Sequence, residues 1–147
     1  LIPIRYPLYH AQSLFDQHKN FIDLQKQDDF VRRYMNYLGH NEFGLNHECW
    51  HKPEKYDDKN NINYWLEQWL MFYKNIYKNF RLNNSCMTII YENLTSKKTS
   101  LEISDFINVK YDFKYLNKNN YKKTHSECDK DLILKSQELY QKFLDQN

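Results

Sequence analysis

The chain has 147 residues, of which 41% are hydrophobic, 17% aromatic and 27% charged, with only two glycines and three prolines. That much large apolar material builds a compact core, which excludes an intrinsically disordered chain and makes one domain over residues 1–147 the expectation. A formal net charge of +2, from 21 basic and 19 acidic side chains, excludes a whole-protein field strong enough to hold nucleic acid or an anionic membrane, so any basic site must be local.

Leu1-Ile2-Pro3-Ile4 reads as a short buried strand, with Pro3 suited to an edge or an early position, and Arg5-Tyr6-Pro7 turns the chain. Pro7 fits the first turn of a helix carrying Leu8, Ala11, Leu14, Phe15 and His18 at helical spacing. A second helix is predicted over Asp29 to Leu38, with Phe30, Tyr34 and Tyr37 or Leu38 on one face and Gly39 as its stop. From His40 to Asn61 the turn residues Gly44 and Pro53 and several polar clusters predict an irregular excursion, long enough to be functional.

The clearest helix follows, with Ile62, Trp65, Leu66, Trp69, Tyr73, Ile76, Tyr77 and Phe80 on the i, i+3, i+4, i+7 pattern. Asn83-Asn84-Ser85 ends it, and Cys86 to Tyr91 reads as a strand covered on both faces. Thr99 or Ser100 is expected to cap the next helix, whose apolar positions are Leu101, Ile103, Phe106 and Ile107. A loop from Asn108 to Asn120 leads to a last helix from about Asp129, burying Leu132, Ile133, Leu139, Tyr140 and Phe143. The order is that of a helix-rich α/β chain with two candidates for parallel strands. Two strands alone make a marginal sheet, so further strands are expected to precede Leu1, which is itself not a methionine.

Cys49, Cys86 and Cys128 are odd in number and contain no CxxC pair, which argues against a disulfide framework and for a reducing, cytoplasmic setting. No run approaches the roughly 20 apolar residues that span a bilayer, and the mean hydropathy is −0.93, so no membrane segment is expected. No secretory leader is visible. The sequons at Asn83 and Asn93 are the chance matches expected of so Asn-rich a chain.

In an open parallel sheet, ligands bind beyond the carboxyl ends of the strands. Arg5 follows the first strand and Tyr91 ends the second. Ser13, eight positions beyond Arg5, reaches the same space if the turn at Pro7 folds the helix back. An Arg fork, a Ser hydroxyl and a helix amino terminus would form an anion pocket, and the Tyr would offer a ring edge or hydroxyl to a base.

These segments carry a resemblance. Arg5-Tyr6-Pro7-Leu8-Tyr9-His10-Ala11-Gln12-Ser13 resembles the motif in which sulfotransferases that use 3′-phosphoadenosine 5′-phosphosulfate grip the donor's 3′-phosphate, with Arg after a strand and Ser eight residues on. Ile89-Ile90-Tyr91-Glu92-Asn93-Leu94 resembles the family's strand ending in Tyr-Glu-Asp-Leu, with Asn93 in place of the Asp. The resemblance implies a partial P-loop-like three-layer fold in an amino-terminally truncated domain. It assigns Arg5, Ser13 and Tyr91 to donor binding, the first two at the 3′-phosphate and the third at adenine. The family's phosphosulfate loop and catalytic base would precede Leu1, so no catalytic residue carries over and the chain alone is expected to be inactive. The cosubstrate implied is 3′-phosphoadenosine 5′-phosphosulfate, no metal is required, and the partner is a small-molecule or glycan acceptor with a hydroxyl or amine.

Other features have plainer readings. His40, His47, Cys49 and His51, with Glu42 and Glu48 nearby, match no closed zinc spacing, and an acceptor-binding lid is the better functional reading of that excursion. Trp65, Trp69, Tyr73 and Tyr77 could stack on nucleic acid, but their helical period marks them as core. Lys97-Lys98 and Lys122-Lys123 with His125 read as solvated surface. The rival functions are a non-catalytic nucleotide- or nucleic-acid-binding module and a helical interaction domain. A severed sheet edge and an exposed Trp65 helix face would drive homo-oligomerisation.

Overall fold

The computed structural model describes residues 1–80, 85–110 and 128–146. The elements are β1 (Ile2–Ile4), α1 (Pro7–Gln27), α2 (Asp29–Leu38), α3 (Ile62–Phe80), β2 (Thr88–Ile90), a single 3₁₀ turn (Tyr91–Asn93), α4 (Lys97–Ile107) and α5 (Lys130–Leu144). β1 and β2 are parallel neighbours, with Ile2 opposite Thr88 and Ile4 opposite Ile90. Among the described residues the sheet has these two strands, with α5 packed against β2, and the rest of the regular structure is helical, compatible with the mixed α/β class that the sequence predicts. Residues 111–120 of the loop predicted from Asn108 to Asn120, the first sequon's Asn83 and the Lys122-Lys123-His125 cluster lie outside the described residues.

The helix ends follow local chemistry. Pro7, its φ already fixed, opens α1 without a side-chain cap. Asp28 caps α2 by accepting from the Phe30 N–H at 2.8 Å, and Gly39 closes it at φ +70°, the left-handed conformation open to glycine at little cost. Asp129 caps α5 through the Leu132 N–H at 3.0 Å, as expected. The cap of α4 is Ser96 rather than Thr99 or Ser100: its Oγ accepts from the Thr99 N–H at 3.1 Å. A capping oxygen takes the N–H three positions on, so Thr99 is the donor, and both predicted caps lie inside the helix and buried.

α3 is the hub. Trp65, Leu66, Trp69 and Tyr73 are buried with Ala11 of α1 and Leu132, Leu139, Tyr140 and Phe143 of α5 in one apolar cluster. The Trp65 face is therefore covered, contrary to the expectation of an exposed face, because the 40–61 excursion lies across it. Phe43, His47 and Trp50 all bring rings within 6.2 Å of the Trp65 ring. Irregular backbone laid on a core needs partners for its polar groups, and α3 supplies them from its own polar residues. Glu67 accepts from the Lys55 and Tyr56 N–H groups at 3.1 and 3.0 Å. Gln68 meets both the N–H and the carbonyl of His51, at 3.0 and 2.8 Å.

Two predicted apolar faces are not core. On α2, Phe30, Tyr34 and Tyr37 are 62%, 52% and 86% exposed, and Met35, on the opposite side, is the buried residue. On α4, Ile103 is buried whereas Leu101, Phe106 and Ile107 are exposed.

Candidate functional site

The in-register pairing of Ile4 with Ile90 delivers the next residue of each strand, Arg5 and Tyr91, to the same end of the sheet. The Arg5 guanidinium carbon lies 5.1 Å from the centroid of the Tyr91 ring, within cation–π range. Pro7 starts α1 two residues beyond Arg5, so the positive end of that helix faces the same region, and no acidic side chain stands in its first turn.

Glu92 braces this corner. One carboxylate oxygen accepts from the Tyr6 N–H at 2.8 Å and the other from the Tyr140 hydroxyl at 2.9 Å, tying the chain after β1 to α5. Gln137 adds a bond from its amide to the Tyr6 hydroxyl at 2.6 Å, and Tyr6 meets Tyr140 edge to face. Burial, and then the bond to Glu92, raises the Tyr140 hydroxyl above its ordinary pKa and keeps it a donor at any physiological pH. His10, one turn into α1, is held neutral: burial and then the nearby Arg5 charge lower it to about 4.

Ser13 lies further along α1. A rise of about 1.5 Å per residue carries it roughly 9 Å along the axis from Pro7. It is partly exposed on α1. The structure thus unites Arg5 and Tyr91 and adds Glu92, whose bracing role depends on partners 86 and 48 positions away. The cluster offers a cation, an aromatic ring and a helix dipole, which suits the binding of an anion with an attached aromatic base. A carboxylate at the same corner sets a limit on anion affinity.

Among the described residues, no three His, Cys, Asp or Glu side chains stand close enough to hold a metal ion. His47 is turned inward, with its ring nitrogens at 3.2 Å from the Asn41 carbonyl and 2.7 Å from the Tyr64 hydroxyl, and His40 pairs with Glu42 at 2.9 Å. Among the same residues, no helix is long and apolar enough to cross a membrane. Lys97 and Lys98 are exposed at the start of α4, with Lys98 near Glu102 at 3.5 Å. Comparison with known proteins finds no matching family model, curated protein or solved structure.

Proposed function

We propose that the corner formed by Arg5 and Tyr91 binds the adenosine 3′-phosphate end of 3′-phosphoadenosine 5′-phosphosulfate, as part of a sulfotransferase domain of P-loop-like fold. The observation that carries this reading is the convergence of the two resembling segments: parallel strands in register set the Arg5 guanidinium 5.1 Å from the Tyr91 ring. The guanidinium pairs with phosphate oxygens and the tyrosine ring borders adenine. Ser13, further along the same helix, would add its hydroxyl to that phosphate, as the resemblance implies.

In the reaction proposed, an acceptor hydroxyl or amine loses its proton to a base and attacks sulfur in line. The new bond to sulfur forms as the bridging S–O bond breaks, and adenosine 3′,5′-bisphosphate leaves. As in phosphoryl transfer, positioning and charge neutralisation carry the catalysis. Arg5 and Tyr91 contribute donor affinity and register, and none of the residues at this corner is assigned the proton transfer.

Calorimetry with adenosine 3′,5′-bisphosphate and adenosine 5′-monophosphate tests the reading. A charge-assisted bond is worth about 1.5–3 kcal/mol, so the bisphosphate should bind roughly 10- to 100-fold more tightly and Arg5→Ala should erase that preference. Equal affinity for the two nucleotides would sink the assignment. The exposed aromatic face of α2 favours a second reading, a helical interaction domain. Under that reading Tyr37→Lys abolishes self-association in sedimentation, and Arg5→Ala changes no binding.

A further inference from the structure

A cavity of about 350 Å³ lies between α1, α3 and the 40–61 excursion, walled by His10, Leu14, Trp50, Trp69, Phe72 and Tyr73. Its size falls in the range of small-molecule sites, about 300–1,000 Å³. An apolar cavity of about 150 Å³ already accepts benzene, so this one has room for two fused rings. Trp69 and Tyr73 are buried, whereas Trp50 and Phe72 are each 39% exposed and form the outer wall.

Two wall residues carry polar atoms with nothing to bond. Among the described residues, the buried side-chain nitrogens without a hydrogen-bond partner are His10 Nδ1 and Trp69 Nε1, and both residues belong to this cavity. Buried polar groups are nearly always paired, so two orphans in the walls of one cavity mark a missing partner. The Tyr73 hydroxyl gives its proton to the Pro3 carbonyl at 2.8 Å, so it has none for His10 Nδ1, and neither orphan nitrogen bonds to it. Neither nitrogen touches solvent, so a ligand oxygen would meet one of them only by moving a wall ring aside.

The orphans define the ligand's chemistry. The indole N–H can only donate, and an unprotonated imidazole nitrogen can accept; a hydroxyl group serves either, since it both accepts and donates. The flat aromatic walls favour a planar guest. The charge of Arg5, felt at His10, disfavours a cationic one.

We propose that this cavity binds a flat, uncharged aromatic alcohol of one or two fused rings, its hydroxyl satisfying the Trp69 indole N–H or His10 Nδ1. The site does not depend on how Arg5 and Tyr91 are read, and nucleotide binding is scored separately, so either proposal can fail alone.

The test is nitrogen-15 NMR of the 147-residue chain, whose three tryptophans give three indole N–H signals, with that of Trp69 identified by Trp69→Phe. 2-Naphthol is titrated against cyclohexanol and the 2-naphthylmethylammonium cation as shape and charge controls. The expected result is a saturable shift of the Trp69 signal, with 2-naphthol binding about tenfold or more tightly than either control. Trp50→Ala and Phe72→Ala, on the outer wall where folding is least disturbed, should each weaken it about fivefold with an unchanged circular dichroism spectrum. An unmoved Trp69 signal, equal affinity for cyclohexanol, or wild-type affinity in both wall variants would overturn the proposal.

Discussion

Replacing Glu92 by alanine removes the acceptor shared by the Tyr6 N–H and the Tyr140 hydroxyl. Each is a hydrogen bond to a charged group, worth about 1.5–3 kcal/mol, and partial exposure of the site lets water replace some of it, so the loss should be about 2–4 kcal/mol. For a chain of this size that lowers Tm by roughly 4–16 °C. Glu92→Gln keeps an oxygen for the Tyr6 N–H and turns an amide towards the tyrosine oxygen, and should cost about 1 kcal/mol. Urea denaturation of Glu92→Ala, Tyr140→Phe and the double variant separates the pairwise part, and a coupling of about 0.5–1.5 kcal/mol is expected. A Glu92→Ala loss below about 0.5 kcal/mol, or strict additivity with Tyr140→Phe, would refute the bracing role.

His18 is buried, accepts from the Gly44 N–H at 3.1 Å through Nδ1, and is lowered to about 4 by burial and then by the nearby His47 and Lys59 charges. Because the folded chain resists protonation there, its contribution is intact above pH 6.5 and is lost as pH falls towards 4; about 2 kcal/mol should disappear between pH 7 and 4.5. His18→Asn, with an oxygen in place of Nδ1, should flatten that part of the pH–stability curve. Gly44 sits at φ +87°, where an added Cβ would stand 2.4 Å from Gln25 Oε1, whereas at Gly39, φ +70°, it would meet nothing within 4 Å. Gly44→Ala should therefore cost about 2–4 kcal/mol and Gly39→Ala about 1 kcal/mol, and thermal melts giving equal losses would contradict this.

Much of the local structure was legible. Proline at the start of α1, Gly39 after α2 and Asp129 before α5 act through bonds within a few residues, so their roles are read from the chain itself. The α3 stripe was equally plain, since its spacing puts Trp65, Trp69 and Tyr73 on one face. The failures are instructive. Apolar spacing on α2 and α4 shows that a face exists but not that anything covers it, and the Phe30–Tyr34 and Leu101–Phe106 faces are open. Glu67 and Gln68 carry no apolar signal, and they are buried because the excursion brings its backbone N–H groups to them.

The candidate site divides along the same line. That Arg5 follows one strand and Tyr91 stands at the end of another followed from the sequence, because an apolar run of strand length and its end are local features; β2 itself stops one residue earlier, at Ile90. That the strands are adjacent, parallel and in register, and so bring those two side chains together across 86 positions, belongs to the tertiary structure. Glu92 as a brace and the two unpaired nitrogens in residues of the aromatic cavity were decided there too. Each depends on which distant element lies alongside, and neither propensity nor spacing within one segment encodes that.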